Sequence, residues 1–207
     1  GWFGDPMPLW YDGVWHLYYT KLNDNGEISW GHISTKDFVT CIEHPDPLRP
    51  GSKEDMDYLN IVTGSVIVVD GVFHMFYGGE DKHGKKRMLH AVSNDGITFM
   101  KEYKELFPMN DIWYRPDGTW RDPCVVWDQN DNVYRMYFCA RSPLNKDDPF
   151  PGRLGMAHST DLVNWTLDPP ENQLENLTGA PECPDVFYLD NQWAMIYYWH
   201  NSRIRFS

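Results

Sequence analysis

The stretch Gly64–Tyr77 reads GSVIVVDGVFHMFY and has two short apolar or aromatic runs on either side of Asp70-Gly71. Runs of this length and composition are typical of β-strands. Asp-Gly is a favoured two-residue hairpin turn, because both positions of that turn need a positive φ. The stretch therefore predicts a β-hairpin.

The same succession of apolar strand, turn and aromatic strand occurs four times in the 207 residues. The four copies begin at Asp5, Gly64, Asp122 and Glu182, which gives steps of 59, 58 and 60 residues. A second element, a strand that ends near a Ser or Thr and an Asp, follows the first three hairpins. It occupies Gly31–Phe38, His90–Gly96 and Met156–Leu162, and a fourth copy begins at Ile204–Ser207.

These repeats predict an all-β fold. Four antiparallel strands at a period near 60 residues describe one blade of a β-propeller, and no helical period of any length competes with it. A β-sandwich would not normally repeat so regularly, and a β-helix has a far shorter period. We expect a partial propeller domain over 1–207, with blades at about 1–60, 61–118 and 119–178 and the start of a fourth at 179–207. Since propellers close with about four to eight blades, we expect the chain to be a fragment of a longer protein.

The charge of the chain excludes some classes of partner. Lys and Arg number 18 and Asp and Glu number 30, for a net charge of −12. Binding to nucleic acid or to an anionic membrane requires a basic surface, so we expect neither partner.

No apolar run is long enough to span a membrane, and no signal peptide is visible, although the chain begins at Gly1. The cysteines and histidines have no zinc-site spacing, so we predict no metal. Aromatic residues make up 15% of the chain, which suits either a packed core or a cleft for a flat ligand.

Three carboxylates lie at the starts of repeats. In a propeller the first strand of each blade lines the central channel, so Asp5, Asp122 and Glu182 should converge there. An alternative is that Asp-Pro and Glu-x-Pro only begin a strand, where proline is tolerated. Converging carboxylates repel one another, which raises at least one pKa, and a protonated and an ionised acid are what glycoside cleavage needs. Arg121 can keep Asp122 ionised and donate a hydrogen bond to a sugar hydroxyl.

Five motifs in this order resemble those of glycoside hydrolase family 32, the fructan-cleaving enzymes with a five-bladed propeller. They are Trp2–Pro6, Ser29–Asp37, Val62–Ser65, Trp120–Pro123 and Pro181–Asp185. The resemblance implies that Asp5 is the nucleophile, that Glu182 is the acid/base and that Asp122 stabilises the transition state. It also implies retention of configuration, for which the Asp5 and Glu182 carboxyls should lie about 5–5.5 Å apart. The expected substrate is a sucrose-type sugar or a fructan, without a cofactor, and the resemblance favours an extracellular or periplasmic location.

The predicted substrate-binding residues are Trp2, Trp30, Thr63, Ser65 and Arg121. The two tryptophans could stack on a sugar or pack in the core, and Ser65 could contact a sugar hydroxyl or belong to a turn.

The chain departs from the family pattern at Gly4, at Thr20 and at Val62-Thr63. These positions resemble the family's sugar-binding residues, whereas the three acids are kept. The departures therefore put the identity of the sugar in question more than the type of reaction. The resemblance implies either a fructosyl hydrolase or a fructosyltransferase. The alternatives are an inverting arabinosidase or xylosidase similar to family 43 and a propeller that binds carbohydrate without turnover.

Overall fold

The computed structural model describes residues 2–102, 104–108, 112–116, 120–143, 152–170, 180–199 and 203–206. These residues form fifteen strands in four antiparallel sheets and contain no helix. The first sheet consists of β1 (Trp2–Tyr11), β2 (Val14–Leu22), β3 (Ile28–Thr35) and β4 (Cys41–Leu48). The second consists of β5 (Asn60–Val69), β6 (Val72–Glu80), β7 (Lys86–Ser93) and β8 (Met100–Lys101). The third consists of β9 (Arg121–Asp128), β10 (Val133–Arg141), β11 (Gly152–Ser159) and β12 (Trp165–Asp168). The fourth consists of β13 (Pro181–Leu189), β14 (Gln192–Trp199) and β15 (Arg203–Phe206).

Within each sheet the strands pair in chain order, and the first strands of successive sheets lie against each other. β1 contacts β5, β5 contacts β9, and β9 contacts β13. This is the arrangement of β-propeller blades around an axis, so the all-β propeller prediction is confirmed. The number of blades in the closed ring and the domain boundaries stay predictions. Among the described elements, no helix is long and apolar enough to cross a membrane.

The turns explain why the sequence repeats. Asp70 and Gly71 have φ values of 51° and 80°, as expected for the two-residue turn between β5 and β6. The second repeated element forms the turn after the third strand. In the second sheet, the Ser93 hydroxyl accepts the N–H of Gly96, and the Asp95 carboxylate accepts those of Ile97 and Thr98. Equivalent turns are built on Thr35 with Asp37 and on Ser159 with Asp161.

Aromatic side chains fill the space between neighbouring sheets. Trp30, Tyr18 and Tyr77 are fully buried between the first and second sheets. Trp120 and Phe138 are fully buried between the second and third sheets. Part of the high aromatic content therefore belongs to the core, where large rings bury much apolar surface, while other rings, such as those of Trp2, Trp10 and Trp127, are exposed.

Each first strand has a β-bulge, which lies five residue pairs from the hairpin turn in the first, third and fourth sheets and six pairs from it in the second. Two residues of the first strand face one residue of the second strand at each site. The bulge residues are Asp5-Pro6, Val62-Thr63, Asp122-Pro123 and Cys183-Pro184. Proline is tolerated there because a bulge leaves one residue outside the hydrogen-bond ladder. Bulges re-aim side chains, and each of these four contributes at least one residue to the lining of the same cavity.

Side chains link the first strands across the sheets. The Gly64 N–H donates to Sδ of Met7 (3.3 Å), the Val125 N–H to Oγ of Ser65 (3.0 Å), and the Val186 N–H to Sγ of Cys124 (3.4 Å). A first strand pairs on only one side, so its outer N–H groups need other partners. These contacts supply such partners.

A stack of imidazole rings in the first sheet makes stability sensitive to acid. His32 is fully buried between Tyr18 and His44, and one of its ring nitrogens is 3.0 Å from His16. Burial, and then the nearby His44 and His16, lower the pKa of His32 to about 3, while Asp95 acts weakly in the opposite direction. The unfolded chain takes up a proton at His32 near pH 6.5, whereas the folded chain resists protonation down to about pH 3. The stability due to neutral His32 is therefore complete above pH 6.5 and is lost as the pH falls below it.

We expect the His32→Phe variant to lose less stability than the wild type between pH 6.5 and 4, because phenylalanine fills the stack without titrating. The difference between the two urea-unfolding free energies should change by up to about 1.4 kcal/mol per pH unit. Parallel pH curves for the two proteins would contradict this assignment.

Candidate active site

The first strands β1, β5, β9 and β13 enclose a cavity of about 510 Å³. Asp5, Asp122 and Glu182 all line it, so the structure brings together the three acids that the repeats indicated. Thr63 and Ser65 also line it. The chemical role assigned to each acid stays a prediction.

Asp5 lies in the bulge of β1 and is half-buried. Its φ of 50° is in the left-handed region, which is unusual for a residue other than glycine. The Thr63 hydroxyl donates to Oδ2 of Asp5 at 2.8 Å, and the Thr20 hydroxyl lies 3.3 Å from the same atom. The Thr20 hydroxyl is also 3.0 Å from the carbonyl oxygen of Gly4. The bulge fixes the backbone of Asp5, and the two hydroxyls fix one side of its carboxylate.

Asp122 is only 4% exposed and has a φ of 58°. Its Oδ2 accepts the N–H of Cys183 at 3.0 Å and lies 3.3 Å from Nε of Arg121. Burial raises the pKa of Asp122 to about 6, against the opposing effects of Arg121 and the Cys183 N–H; Asp5 and Glu182 add smaller increases. The expected stabilisation by Arg121 is present, but burial outweighs it.

Arg121 forms ion pairs with two of the acids. Its Nη2 donates to Oε1 of Glu182, and its Nε faces Asp122. The guanidinium is mostly buried, so it fixes the two carboxylates relative to each other. The predicted contact between Arg121 and a sugar stays a prediction.

Because the repeats begin at Asp5, Asp122 and Glu182, they imply that these acids occupy equivalent strand positions, but for Glu182 this is wrong. Cys183, with a φ of 47°, takes the bulge position before Pro184, and Glu182 pairs with Tyr198 one residue earlier. In the third sheet this earlier position belongs to Arg121, which pairs with Cys139. The proline sets the register, because it takes the place in the bulge where no N–H is needed. The Arg121–Glu182 ion pair therefore joins equivalent positions of neighbouring sheets.

The prediction that Trp30 binds a sugar is wrong. Trp30 is fully buried in the core, and its indole N–H donates to the carbonyl of Val62 at 3.1 Å. A side chain on β3, packed against the next sheet, cannot reach the cavity.

For Trp2, Thr63 and Ser65, binding of a sugar stays a prediction. Trp2 is 52% exposed on β1, and its indole lies over Gly4, where a Cβ would come within 3.1 Å of the ring. It is near Asp5 along the strand but is not among the residues that line the cavity. Ser65 lines the cavity while its Oγ accepts the Val125 N–H, so its own proton can still reach a ligand.

In the sequence, Thr20 stands out only as a departure from the family pattern, and its contact with Asp5 becomes visible in the structure. A signal was available, since counting back from the turn at Asp12-Gly13 places Thr20 opposite Asp5. The bulge shifts that pairing by one residue, to Gly4, and the hydroxyl still reaches the carboxylate.

The fold and the site together define a β-propeller with a carboxylate cluster at its axis, which is a suitable framework for glycoside cleavage. Within the described residues, no group of His, Cys, Asp and Glu has the geometry of a metal site. The model of the glycosyl hydrolases family 32 N-terminal domain matches residues 1–205. The chain therefore belongs to this family, and the resemblance seen in its motifs is confirmed.

Individual relatives agree with this assignment. The chain is 28% identical to "Sucrose-6-phosphate hydrolase" of Escherichia coli over 95% of this chain and 41% of that protein. It is 29% identical to "Sucrose:sucrose 1-fructosyltransferase" of Festuca arundinacea over 87% of this chain and 28% of that protein. The crystal structure of fructan 1-exohydrolase IIa from Cichorium intybus is similar in fold, with a TM-score of 0.79 and 23% identity over 99% of this chain and 41% of that one. The chain thus spans about two-fifths or less of the length of these relatives.

Proposed function

We propose that the protein is a retaining glycoside hydrolase that acts on fructosyl linkages. The observation that carries this proposal is the meeting of Asp5, Asp122 and Glu182 around one cavity in a chain of family 32. We assign Asp5 as the nucleophile, Glu182 as the acid/base and Asp122 as the group that stabilises the transition state.

In the first step, a carboxylate oxygen of Asp5 forms a bond to the anomeric carbon of the fructosyl unit. The bond from that carbon to the leaving oxygen breaks, and the leaving oxygen takes the proton of Glu182. The product is a fructosyl ester on Asp5 and a free alcohol. In the second step, Glu182 takes a proton from water, the water oxygen bonds to the anomeric carbon, and the ester bond breaks. Two displacements at one carbon retain its configuration.

A sugar hydroxyl in place of water would give transfer instead of hydrolysis, by the same two steps. The relative from Festuca arundinacea carries the name of such a transferase, and the one from Escherichia coli that of a hydrolase. These names support a sucrose-type substrate here. Transfer is the second candidate function.

In this mechanism Asp122 holds the sugar. Its Oδ2 is taken up by Cys183 and Arg121, so its other oxygen is the one that can accept hydrogen bonds from a fructosyl unit. Hydrogen bonds from hydroxyls to a carboxylate strengthen as positive charge develops on the sugar ring. Above about pH 6 Asp122 is mainly ionised and can act in this way.

We expect turnover of sucrose, inulin or levan by the full-length protein, with initial products that retain the anomeric configuration of the cleaved bond. NMR spectra recorded during the first turnovers, before mutarotation, would measure this. Arabinan and xylan serve as the comparison substrates. Inversion would favour the alternative similar to family 43, and binding without turnover of any of these sugars would favour a carbohydrate-binding propeller.

A further inference from the structure

Two hydroxyls from different sheets meet at the same oxygen of Asp5. Thr63 belongs to β5 in the second sheet, and Thr20 belongs to β2 in the first. They are 7% and 2% exposed, so water offers little competition for their protons. Within the part of the chain that the structure describes, no protein hydrogen bond reaches Oδ1 of Asp5.

We propose that Thr63 and Thr20 are positioning residues that hold Oδ2 of Asp5 and leave Oδ1 as the oxygen that attacks the anomeric carbon. This inference rests on the proposed function and adds to it which oxygen reacts. The Thr63 contact is the stronger one, because it is shorter and because Thr20 divides its proton between Asp5 and the Gly4 carbonyl.

The arrangement reduces the freedom of the nucleophile at three points. The bulge holds the Asp5 backbone at a φ of 50°, the following Pro6 has a fixed ring, and the threonines are β-branched and stiff at χ1. A nucleophile held in the attacking geometry does not have to be ordered again in the transition state.

The hydroxyls also act on the second step. When water displaces the ester, the electron pair of the breaking bond returns to the Asp5 carboxylate, and donors fixed on Oδ2 stabilise the returning charge. The neighbouring groups that face this carboxylate are Asp122, Glu182 and the Cys183 thiol, and the last also contacts Thr63. None of these three groups is a cation that could stabilise the negative charge returning to Asp5. The hydroxyl donors of Thr63 and Thr20 therefore contribute more to that stabilisation.

The test compares Thr63→Val, which removes the hydroxyl and keeps the shape, with Thr63→Ser, which keeps the hydroxyl. In the full-length protein acting on its best fructosyl substrate, we expect Thr63→Val to lower kcat about 10- to 100-fold, with KM within about threefold of the wild type. Thr63→Ser should recover most of the rate. Thr20→Val should lower kcat by a smaller factor, about 3- to 10-fold.

Thr35→Val is the matched control, since Thr35 is also buried and hydrogen-bonded but supports the turn after β3, outside the cavity. It should reduce thermal stability and leave kcat unchanged.

If Thr63→Val and Thr63→Ser have the same kcat, the positioning role is wrong. If Thr63→Val does not fold, the same comparison is made at Thr20. Equal kcat values for Thr20→Val and Thr20→Ser would then show that the positioning role is wrong. A wild type that retains configuration and depends on Asp5, combined with unaffected threonine variants, would overturn this inference alone. A wild type without turnover would overturn the proposed function as well.

Discussion

Replacing Asp5 with asparagine is expected to lower kcat on a fructosyl substrate by at least about 10⁴-fold, the scale found when a covalent nucleophile is removed. The amide cannot form the ester that divides the reaction into two steps. The change is nearly isosteric, and the amide oxygen can still accept the hydroxyl protons of Thr63 and Thr20. The loss should therefore appear in kcat and not in the folded structure.

Asp12→Asn is the matched control for this substitution. Asp12 also has a positive φ, at 47°, but it is exposed in the turn between β1 and β2. Both variants thus make the same chemical change at the same kind of backbone conformation. We expect wild-type kinetics for Asp12→Asn and an unchanged melting temperature for both variants. Activity of the Asp5→Asn protein above about 1% of the wild type would show that Asp5 is not the nucleophile.

The repeats could be read from the sequence because each hairpin has its own local signals. Asp-Gly turns, apolar alternation and the Ser-x-Asp turn after the third strand depend on residues close in the chain. Since the first strand of every blade faces the axis, the meeting of Asp5 with Asp122 followed from the period alone. The overall fold and the centre of the site were therefore predictable.

The position of Glu182 was harder to predict, because a bulge changes the register by one residue. The repeat period aligns Glu-Cys-Pro with the other strands by its acid, whereas the structure aligns it by its proline. An alignment of Pro184 with Pro6 and Pro123 would have placed Cys183 in the bulge. The ion pair of Arg121 with Glu182 would then have followed as a contact between equivalent positions.

Trp30 and Thr20 illustrate the limit of reasoning from motifs. Whether Trp30 faces a ligand or the next sheet depends on how two sheets pack, which neighbouring residues in the chain do not specify. The Thr63–Asp5 hydrogen bond joins residues 58 positions apart, in different sheets. Such contacts are set by the spacing of the blades, so sequence proximity to a motif is a poor guide to them.

Asp57→Ala is expected to destabilise the protein by about 3–5 kcal/mol, the cost of breaking a buried ion pair by removing one partner. Asp57 is fully buried in the connection between β4 and β5. Its carboxylate lies 2.6 Å from Nζ of Lys101, and it accepts the Tyr77 hydroxyl at 3.0 Å and the Gly51 N–H at 3.1 Å. Alanine would leave a mostly buried ammonium group and a buried hydroxyl without this partner. Unfolding in urea, followed by tryptophan fluorescence, measures the change.

Glu54→Ala is the control, since Glu54 lies in the same connection and forms an ion pair with Lys82 while remaining 75% exposed. Exposed pairs contribute about 0–1 kcal/mol, so this variant should unfold almost as the wild type does. The double variant Asp57→Ala/Lys101→Met should be more stable than Asp57→Ala alone, because it removes the uncompensated charge. If Asp57→Ala loses no more stability than Glu54→Ala, the buried pair does not hold the connection to the second sheet. If the double variant is less stable than the single one, the main loss comes from packing and not from the isolated charge of Lys101.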